Sequence, residues 1–281
     1  MSVLASIGRI LLRGLYSIPF FILLGTALGF LIAVPAIPRP QVAIIPLSGV
    51  IIEQSFTDDI LDMLDTARQD SSIKAVVLEI DSPGGYVVTT EAIYLEVLRL
   101  RQLKPVVVAI KTTAASGGYY ISVAADYIYA LPTSEIGSVG AWLILPSPEE
   151  LDEIVMTTGL FKATGGSRRN AMAELEIIRQ EFVSIVQSHR GDRLKLTEDE
   201  LSQARIYLGT ESLKLGLIDE IGTTTDATAK AASLANVRNY IVTKLVREKP
   251  DEDGFQFIGI KDLRTQNSLI PVYLYLHFES E

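Results

Sequence analysis

No charged residue interrupts the chain between Arg13 and Arg39, and the stretch from Leu15 through Val34 is dominated by Leu, Ile, Phe, Ala and Val. At about 1.5 Å per helical residue, a run of this length spans the roughly 30 Å hydrocarbon layer of a bilayer. One transmembrane helix is therefore expected. Arg9 and Arg13 precede it, and the positive-inside tendency holds the amino terminus in the cytoplasm and sends the rest of the chain across. A cleavable signal peptide is the competing reading, although the run is longer than an ordinary apolar h-region. Pro35, Pro38 and Pro40 end the helix and open a stiff linker, so residues 1–40 form a terminus, an anchor and a linker.

The pattern then changes to short apolar runs alternating with amphipathic segments. Val42–Leu47, Ala75–Ile80 and Pro105–Ile110 are nearly continuous apolar stretches, expected as buried strands. Between them, Phe56, Ile60, Leu61 and Leu64, and then Ile93, Val97 and Leu100, recur at helical spacing. A β-α-β-α-β order with apolar strands implies an α/β fold with a mainly parallel sheet covered by helices. Its site should lie beyond the carboxyl ends of the strands. Further along, Thr225–Ala235 is expected to be helical, and Tyr240–Val246 and Val272–Leu276 to be strands. The last of these is apolar on both faces, which fits an added edge strand, a strand shared with a second subunit, or a segment near the bilayer.

Composition narrows the chemistry. The 281 residues contain no cysteine and two histidines, His189 and His277. Thiol nucleophiles, disulfides and thiolate zinc sites are excluded, and a histidine-rich metal centre is disfavoured. A net charge of -9 without a basic stripe argues against nucleic acid as a partner, since displacing counterions from phosphates needs a positive surface.

Two glycine-bearing turns follow the second and third strands: Asp81-Ser82-Pro83-Gly84-Gly85 and Ala114-Ala115-Ser116-Gly117-Gly118. Neighbouring parallel strands would set them side by side, so that backbone N–H groups of one turn face the serine of the other. That is the arrangement an oxyanion hole requires. Taken singly, each is an ordinary turn sequence. Ser116 needs a base to become a nucleophile, and His189, at the end of a polar-faced helix, reads as a solvated helix terminus instead. Asp81 and Asp126 read as turn or capping carboxylates.

The series Asp81-Ser-Pro-Gly-Gly85, Ala115-Ser-Gly-Gly-Tyr-Tyr-Ile-Ser122, Ala124-Ala-Asp126 and Gly137-Ser-Val-Gly140 resembles the signal peptide peptidase A (SppA) family of serine proteases. Ala204–Gly209 and Gly216–Gly222 are similar to that family's carboxyl-terminal signature. The resemblance covers roughly Val42 to Gly222 and implies a ClpP/crotonase-type fold, one amino-terminal membrane anchor and assembly into a ring or dome of subunits; the protease domain is expected over residues 41–238, and the strand pattern beyond it makes 239–281 a strand-rich extension. It also implies a Ser/Lys dyad that hydrolyses signal peptides or other membrane-associated peptides without a cofactor.

Carried over residue by residue, the resemblance makes Ser116 the nucleophile and Gly85 and Gly117 the oxyanion donors. Gly84 gives Gly85 the freedom to turn its N–H inward. Ser138 matches the family serine that steadies the lysine. Thr157-Thr158-Gly159-Leu160-Phe161-Lys162 fits the setting of the family lysine, which makes Lys162 the general base, with Leu160 and Phe161 as apolar neighbours that favour a neutral amine. The fit departs from the family in a shorter segment between Gly140 and Gly159 and in Ala163, where an acidic residue is common. A different alignment sets Arg168 or Arg169 at the lysine position, and a permanently charged arginine is no base. Lys111 lies below the turn. Tyr119 and Tyr120 are expected to pack the helix that Ser116 opens. A catalytically silent assembly subunit and a crotonase-type acyl-coenzyme A enzyme stand as alternatives.

Overall fold

The computed structural model describes residues 17–19, 21–31, 39–52, 54–144, 158, 166–246 and 272–276. The chain divides into two compact units, Met1–Arg39 and Pro40–Glu281. In the first, residues 17–19 and 21–31 are helical (α1), and the Thr26 hydroxyl donates back to the Ile22 carbonyl at 2.9 Å. Phe21, Leu23, Phe30 and Leu31 of α1 are exposed. Among the described residues no helix is long and apolar enough to cross a membrane, and the expected span runs beyond them at both ends.

In the second unit the chain order begins with Gln41–Ser48 (β1), Gln54–Gln69 (α2), Ile73–Ser82 (β2), Gly84–Tyr86 (β3), Val87–Arg101 (α3), Val106–Ala115 (β4) and Gly117–Ser122 (α4). Tyr127–Ala130 (β5), Glu135–Gly137 (β6), Trp142–Ile144 (β7), Arg168–Arg190 (α5) and Glu198–Leu201 (α6) follow. The chain continues with Ile206–Leu208 (β8), Gly209–Leu215 (α7), Glu220–Ile221 (β9), Thr224–Leu234 (α8), Ile241–Lys244 (β10) and Val272–Leu276 (β11). The main sheet runs β10-β1-β2-β4-β5-β9, with β6 paired to β4 and β8 to β6. Every pairing in it is parallel except β6 with β8.

Side chains alternate across this sheet with the two-residue period of a strand. Val42, Ala75, Val77, Val107 and Ala109 point to one face, where Ala227, Ala231 and Ala232 of α8 cover them. Small residues on both sides let that helix lie close. Ala43, Ile45, Leu47, Val76, Leu78, Ile80, Val106, Val108 and Ile110 point to the other face and share a larger core with Ile60 and Leu64 of α2, Ile93 and Val97 of α3, and Phe182 and Val186 of α5. The strands outrun their apolar cores: β4 extends to Ala115, five residues beyond the run that marks it in the sequence, and so carries the chain to the threshold of Ser116.

The last strand departs from the edge-strand expectation. β11 is the middle strand of a separate three-stranded antiparallel sheet, β3-β11-β7. The cause lies in β3, whose Gly84 carbonyl and Tyr86 N–H bond to Ile51 on one side, leaving the opposite backbone edge open to a further strand.

One buried ion pair ties the second half of the domain together. Arg190, at the end of α5, donates through Nη1 and Nη2 to Asp219 at 3.1 and 2.8 Å and through Nε to the Gly216 carbonyl at 2.7 Å. Both side chains are 5% exposed or less, and Asp219 also accepts the Ile128 N–H at 2.8 Å. Removing one member of such a pair strands the other charge in a dry interior. Asp219→Ala is expected to destabilise the fold by about 3–5 kcal/mol, measured by urea unfolding; a loss below ~1 kcal/mol would show that water reaches the Arg190 guanidinium.

Candidate active site

The site begins with the two turns at the carboxyl ends of β2 and β4, which pair in parallel. Asp81 braces them, its carboxylate accepting the Thr113 N–H at 3.1 Å and the Thr112 hydroxyl at 3.3 Å. The buried Ser82 hydroxyl donates to the Gly49 carbonyl at 2.7 Å and accepts the Gly84 N–H at 3.1 Å. Gly84 itself sits at φ 106°, a conformation that side chains strain. Gly85 is fixed by space: a Cβ there would lie 2.0 Å from the Ile51 carbonyl oxygen.

Ser116 occupies the junction between β4 and α4 at φ 50°, ψ -117°. A non-glycine residue held there costs about 1–3 kcal/mol unless its surroundings over-determine it. Here the Ser116 N–H donates to the Gly137 carbonyl at 2.8 Å and its carbonyl accepts the Tyr120 N–H at 2.9 Å. The side chain is 1% exposed, and among the described residues its hydroxyl has no hydrogen-bond partner.

A Cβ on Gly117 would stand 3.2 Å from Gly85 N and from Gly84 Cα, and 2.7 Å from Thr90 Oγ1. The two turns are thus in direct backbone contact, as their places on neighbouring strands imply. Ser138 joins them through register. Ala115 of β4 stands opposite Gly137 of β6, so Ser116 and Ser138 follow at adjacent strand ends. Ser138 is buried at φ 53°, and its N–H donates to the Arg205 carbonyl at 2.9 Å.

Other candidates fall apart from this cluster. Lys162, with Gly159, Leu160 and Phe161, lies outside the described residues. Lys111 is exposed on β4, and Arg168 and Arg169 are exposed in the first turn of α5, which Ser167 caps. His189 does end α5, but it is not the solvated terminus expected. It is half-buried, with Nε2 2.8 Å from the Tyr94 hydroxyl and its ring edge-on to Tyr94. Burial, then the positive charges of Arg101, Arg190 and Arg193, hold its pKa below the ordinary histidine value. Tyr119 and Tyr120 pack as expected: Tyr119 donates to the Leu217 carbonyl at 2.8 Å, and Tyr120 meets Tyr94 and Phe182 edge-on. Asp126 caps, accepting from the Val106 N–H at 2.9 Å and Arg101 Nε at 2.7 Å.

Thr90 escapes the motif reading altogether. It is fully buried on α3 beside Gly117, and its hydroxyl, like that of Ser116, has no partner among the described residues. Its place three residues before Ile93 and seven before Val97, on the helix's apolar stripe, was the available signal.

Comparison with known proteins places this cluster in a family. The description "Peptidase family S49" matches residues 99–238, and "Clp protease" matches residues 41–137; both spans contain Ser116. A Synechocystis sp. protein named as a protease is 31% identical over 213 residues, which cover 71% of this chain and 76% of that protein. The chain belongs to peptidase family S49. Protease 4 of Haemophilus influenzae is 35% identical over 219 residues, 70% of this chain, but the match spans only 35% of Protease 4. Among solved structures, a variant of the membrane-bound stomatin-specific protease 1510-N with a substrate peptide aligns at TM-score 0.51 and 19% identity, covering 77% of this chain and 96% of that one. That likeness confirms the Clp-type fold. S49 membership agrees with the SppA resemblance of the motifs.

Two outcomes follow for the groups around Ser116. Thr90→Val replaces an unpartnered buried hydroxyl by a methyl of the same shape and is expected to raise the unfolding free energy by about 1 kcal/mol; a loss of stability would reveal a hydroxyl partner. For His189, the folded pKa lies below the ordinary 6.5, so on acidification the unfolded chain takes up a proton that the folded one refuses. Stability is full above pH 6.5 and falls as pH drops toward the folded value. His189→Gln should reduce that fall between pH 7 and 5, read from paired denaturation curves.

Proposed function

We propose that this S49 chain is a membrane-anchored serine peptidase that hydrolyses signal peptides or other membrane-associated peptides. One observation carries the reading: a buried serine hydroxyl without a described partner, held in a strained conformation at a strand-to-helix junction, against two glycines whose backbone is bare of side chains. A serine that served only to cap or pack would have found a partner.

Lys162 is the base. Leu160 and Phe161 beside it in the sequence favour the neutral amine, and the Ser138 hydroxyl steadies the ammonium once it forms. Neutral Lys162 takes the proton of Ser116 as Oγ attacks the peptide carbonyl. The N–H groups of Gly85 and Gly117 receive the negative charge that develops on the carbonyl oxygen, each such donor contributing about 3–4 kcal/mol of transition-state stabilisation. Lys162 then returns the proton to the leaving amine, and a water molecule, deprotonated by the same lysine, releases the acyl group from Ser116. The chemistry runs on amides, a hydroxyl and an amine, with no cofactor.

The uncharged run Leu15–Val34 and the exposed apolar side chains of α1 support an uncleaved anchor in membrane lipid, with a cytoplasmic amino terminus and an extracytoplasmic catalytic unit. The Clp-type fold supports assembly of several copies into a ring or dome. Acylation by a serine-reactive probe, followed by mass spectrometry, tests the chemistry. The intact chain should label at Ser116, Ser116→Ala should not label, and Lys162→Ala should label about 10²–10⁴-fold more slowly. Labelling indifferent to Lys162 would defeat the dyad, and an inert intact chain would favour the silent-subunit reading.

A further inference from the structure

Thr90 is placed to do more than pack. A threonine inside a helix can turn its hydroxyl back to the carbonyl three or four residues earlier, and other helical hydroxyls of the protein do so. Thr89 donates to the Tyr86 carbonyl at 3.0 Å, Ser122 to that of Gly118 at 2.7 Å and Thr228 to that of Thr224 at 2.7 Å. For Thr90 the same relief would come from the Tyr86 or Val87 carbonyl, and it is not taken. The side chain is fully buried and its hydroxyl has no partner among the described residues, a condition that buried hydroxyls ordinarily avoid. Its oxygen stands against Gly117 instead, 2.7 Å from the place of the missing Cβ, and Gly85 N lies 3.2 Å from that same place. Thr90 Oγ1, Gly117 and the Gly85 amide thus meet around one point. The hydroxyl of Ser116, the residue before Gly117, is the second one buried there without a described partner.

We propose that Thr90 is a further catalytic residue of the Ser116 site, a third donor whose O–H turns to the carbonyl oxygen of the reacting peptide as that oxygen becomes negative. The proposal rests on the peptidase reading, which puts the developing charge between the Gly85 and Gly117 amides. In the resting protein the buried hydroxyl is unsatisfied, and the tetrahedral oxyanion supplies the acceptor it lacks. The bond is therefore made chiefly in the transition state, which is where an interaction accelerates a reaction. Thr90 exchanges no atom with the substrate. Ser116 Oγ forms the bond to the carbonyl carbon, its proton passes to the base, the carbonyl π electrons move onto the oxygen, and Thr90 keeps its own proton while donating to that oxygen. Unlike an amide N–H, a hydroxyl rotates, so it can release the oxygen when the carbonyl re-forms on the acyl-enzyme. The methyl of Thr90 meanwhile stays on the apolar stripe of α3, which explains a threonine at this position in place of a smaller serine.

The test compares the full chain with Thr90→Val, which keeps the shape and removes the donor, and Thr90→Ser, which keeps the donor and removes a methyl. Acylation by p-nitrophenyl acetate is followed over a range of ester concentrations. Thr90→Val should lower the maximal acylation rate about 10–100-fold, the effect of one hydrogen bond to a charged group, with Thr90→Ser within about threefold of the intact chain. The half-saturating ester concentration should not change, and the urea midpoint of Thr90→Val should not fall. Slower acylation in a protein no less stable is a combination that a packing role does not produce. An unchanged rate in Thr90→Val, or a Thr90→Ser variant as slow as Thr90→Val, would overturn the proposal. A second measurement covers loss of rate through misfolding. The boronic acid acetyl-leucyl-boroleucine forms a tetrahedral adduct on Ser116, and Thr90→Val should weaken it about tenfold or more while leaving unchanged the affinity of acetyl-leucyl-leucinamide, measured in a Ser116→Ala background. Equal weakening of both would mark a structural role and overturn the proposal. An intact chain inert to ester and boronic acid alike would defeat the peptidase reading and the Thr90 role with it, whereas an active Ser116 indifferent to Thr90→Val defeats the Thr90 role alone.

Discussion

A peptide carbonyl, that of Ile51, fills the space where a side chain on Gly85 would stand, 2.0 Å from the position of its Cβ. The rest of the site descends from this contact. Because the Ile51 backbone sits flush against β3, it takes the Gly84 carbonyl and the Tyr86 N–H and commits both groups of Gly85 to the opposite edge. Because Gly117 is bare, its backbone can approach until the place of its Cβ is 3.2 Å from Gly85 N. That approach fixes where Ser116 must stand. A methyl at Gly85 would force backbone from backbone, and no rotamer change could relieve it, whereas one at Gly117 would first meet the Thr90 hydroxyl.

Much of this was legible in the sequence because it depends on period and on glycine. Apolar runs of strand length, separated by helical stripes, gave the parallel sheet, and the sheet put both glycine turns at one end. What escaped has a common physical cause: it depends on partners distant in the chain. Arg190 and Asp219 are 29 residues apart, and nothing in the local pattern of either marks it as buried. His189 looks like a solvated terminus until Tyr94, 95 residues away, is brought against it. Thr90 lies on an apolar stripe, but that its hydroxyl would be left without a partner follows only from the packing of α3 on α4. β11 reads as a strand from its sequence, yet its neighbours are not foreseeable, since an apolar pentapeptide carries no record of which edge is open. Lys162, inferred from family setting alone, has no comparable geometric support among the described residues.

The energetics of the site divide between strain and orphaned polarity, and both are concentrated around one turn. Ser116 is held at positive φ by bonds from its own N–H and carbonyl, so the conformation is enforced by the backbone and does not depend on what its hydroxyl does. Among the described residues the hydroxyl is buried without a partner, which costs stability and, on the proposed function, leaves it to meet a reactant. Thr90, beside Gly117, has a second hydroxyl with no partner among the described residues and adds to that cost. The large apolar clusters on both faces of the sheet supply the stability against which these losses are set. Most of their members lie outside the turn, which can therefore carry its strain without unfolding.

On the proposed function, a substrate would meet the glycine turns, where β3 offers Gly84, Gly85 and Tyr86. Two of those three have no side chain with which to reject a peptide, so side-chain fit at β3 would discriminate weakly. Selectivity would then come from what is allowed to arrive. An anchor in the bilayer would confine the catalytic unit to peptides near the membrane, and a slot that pairs with backbone would pass over folded proteins, whose strands are already paired.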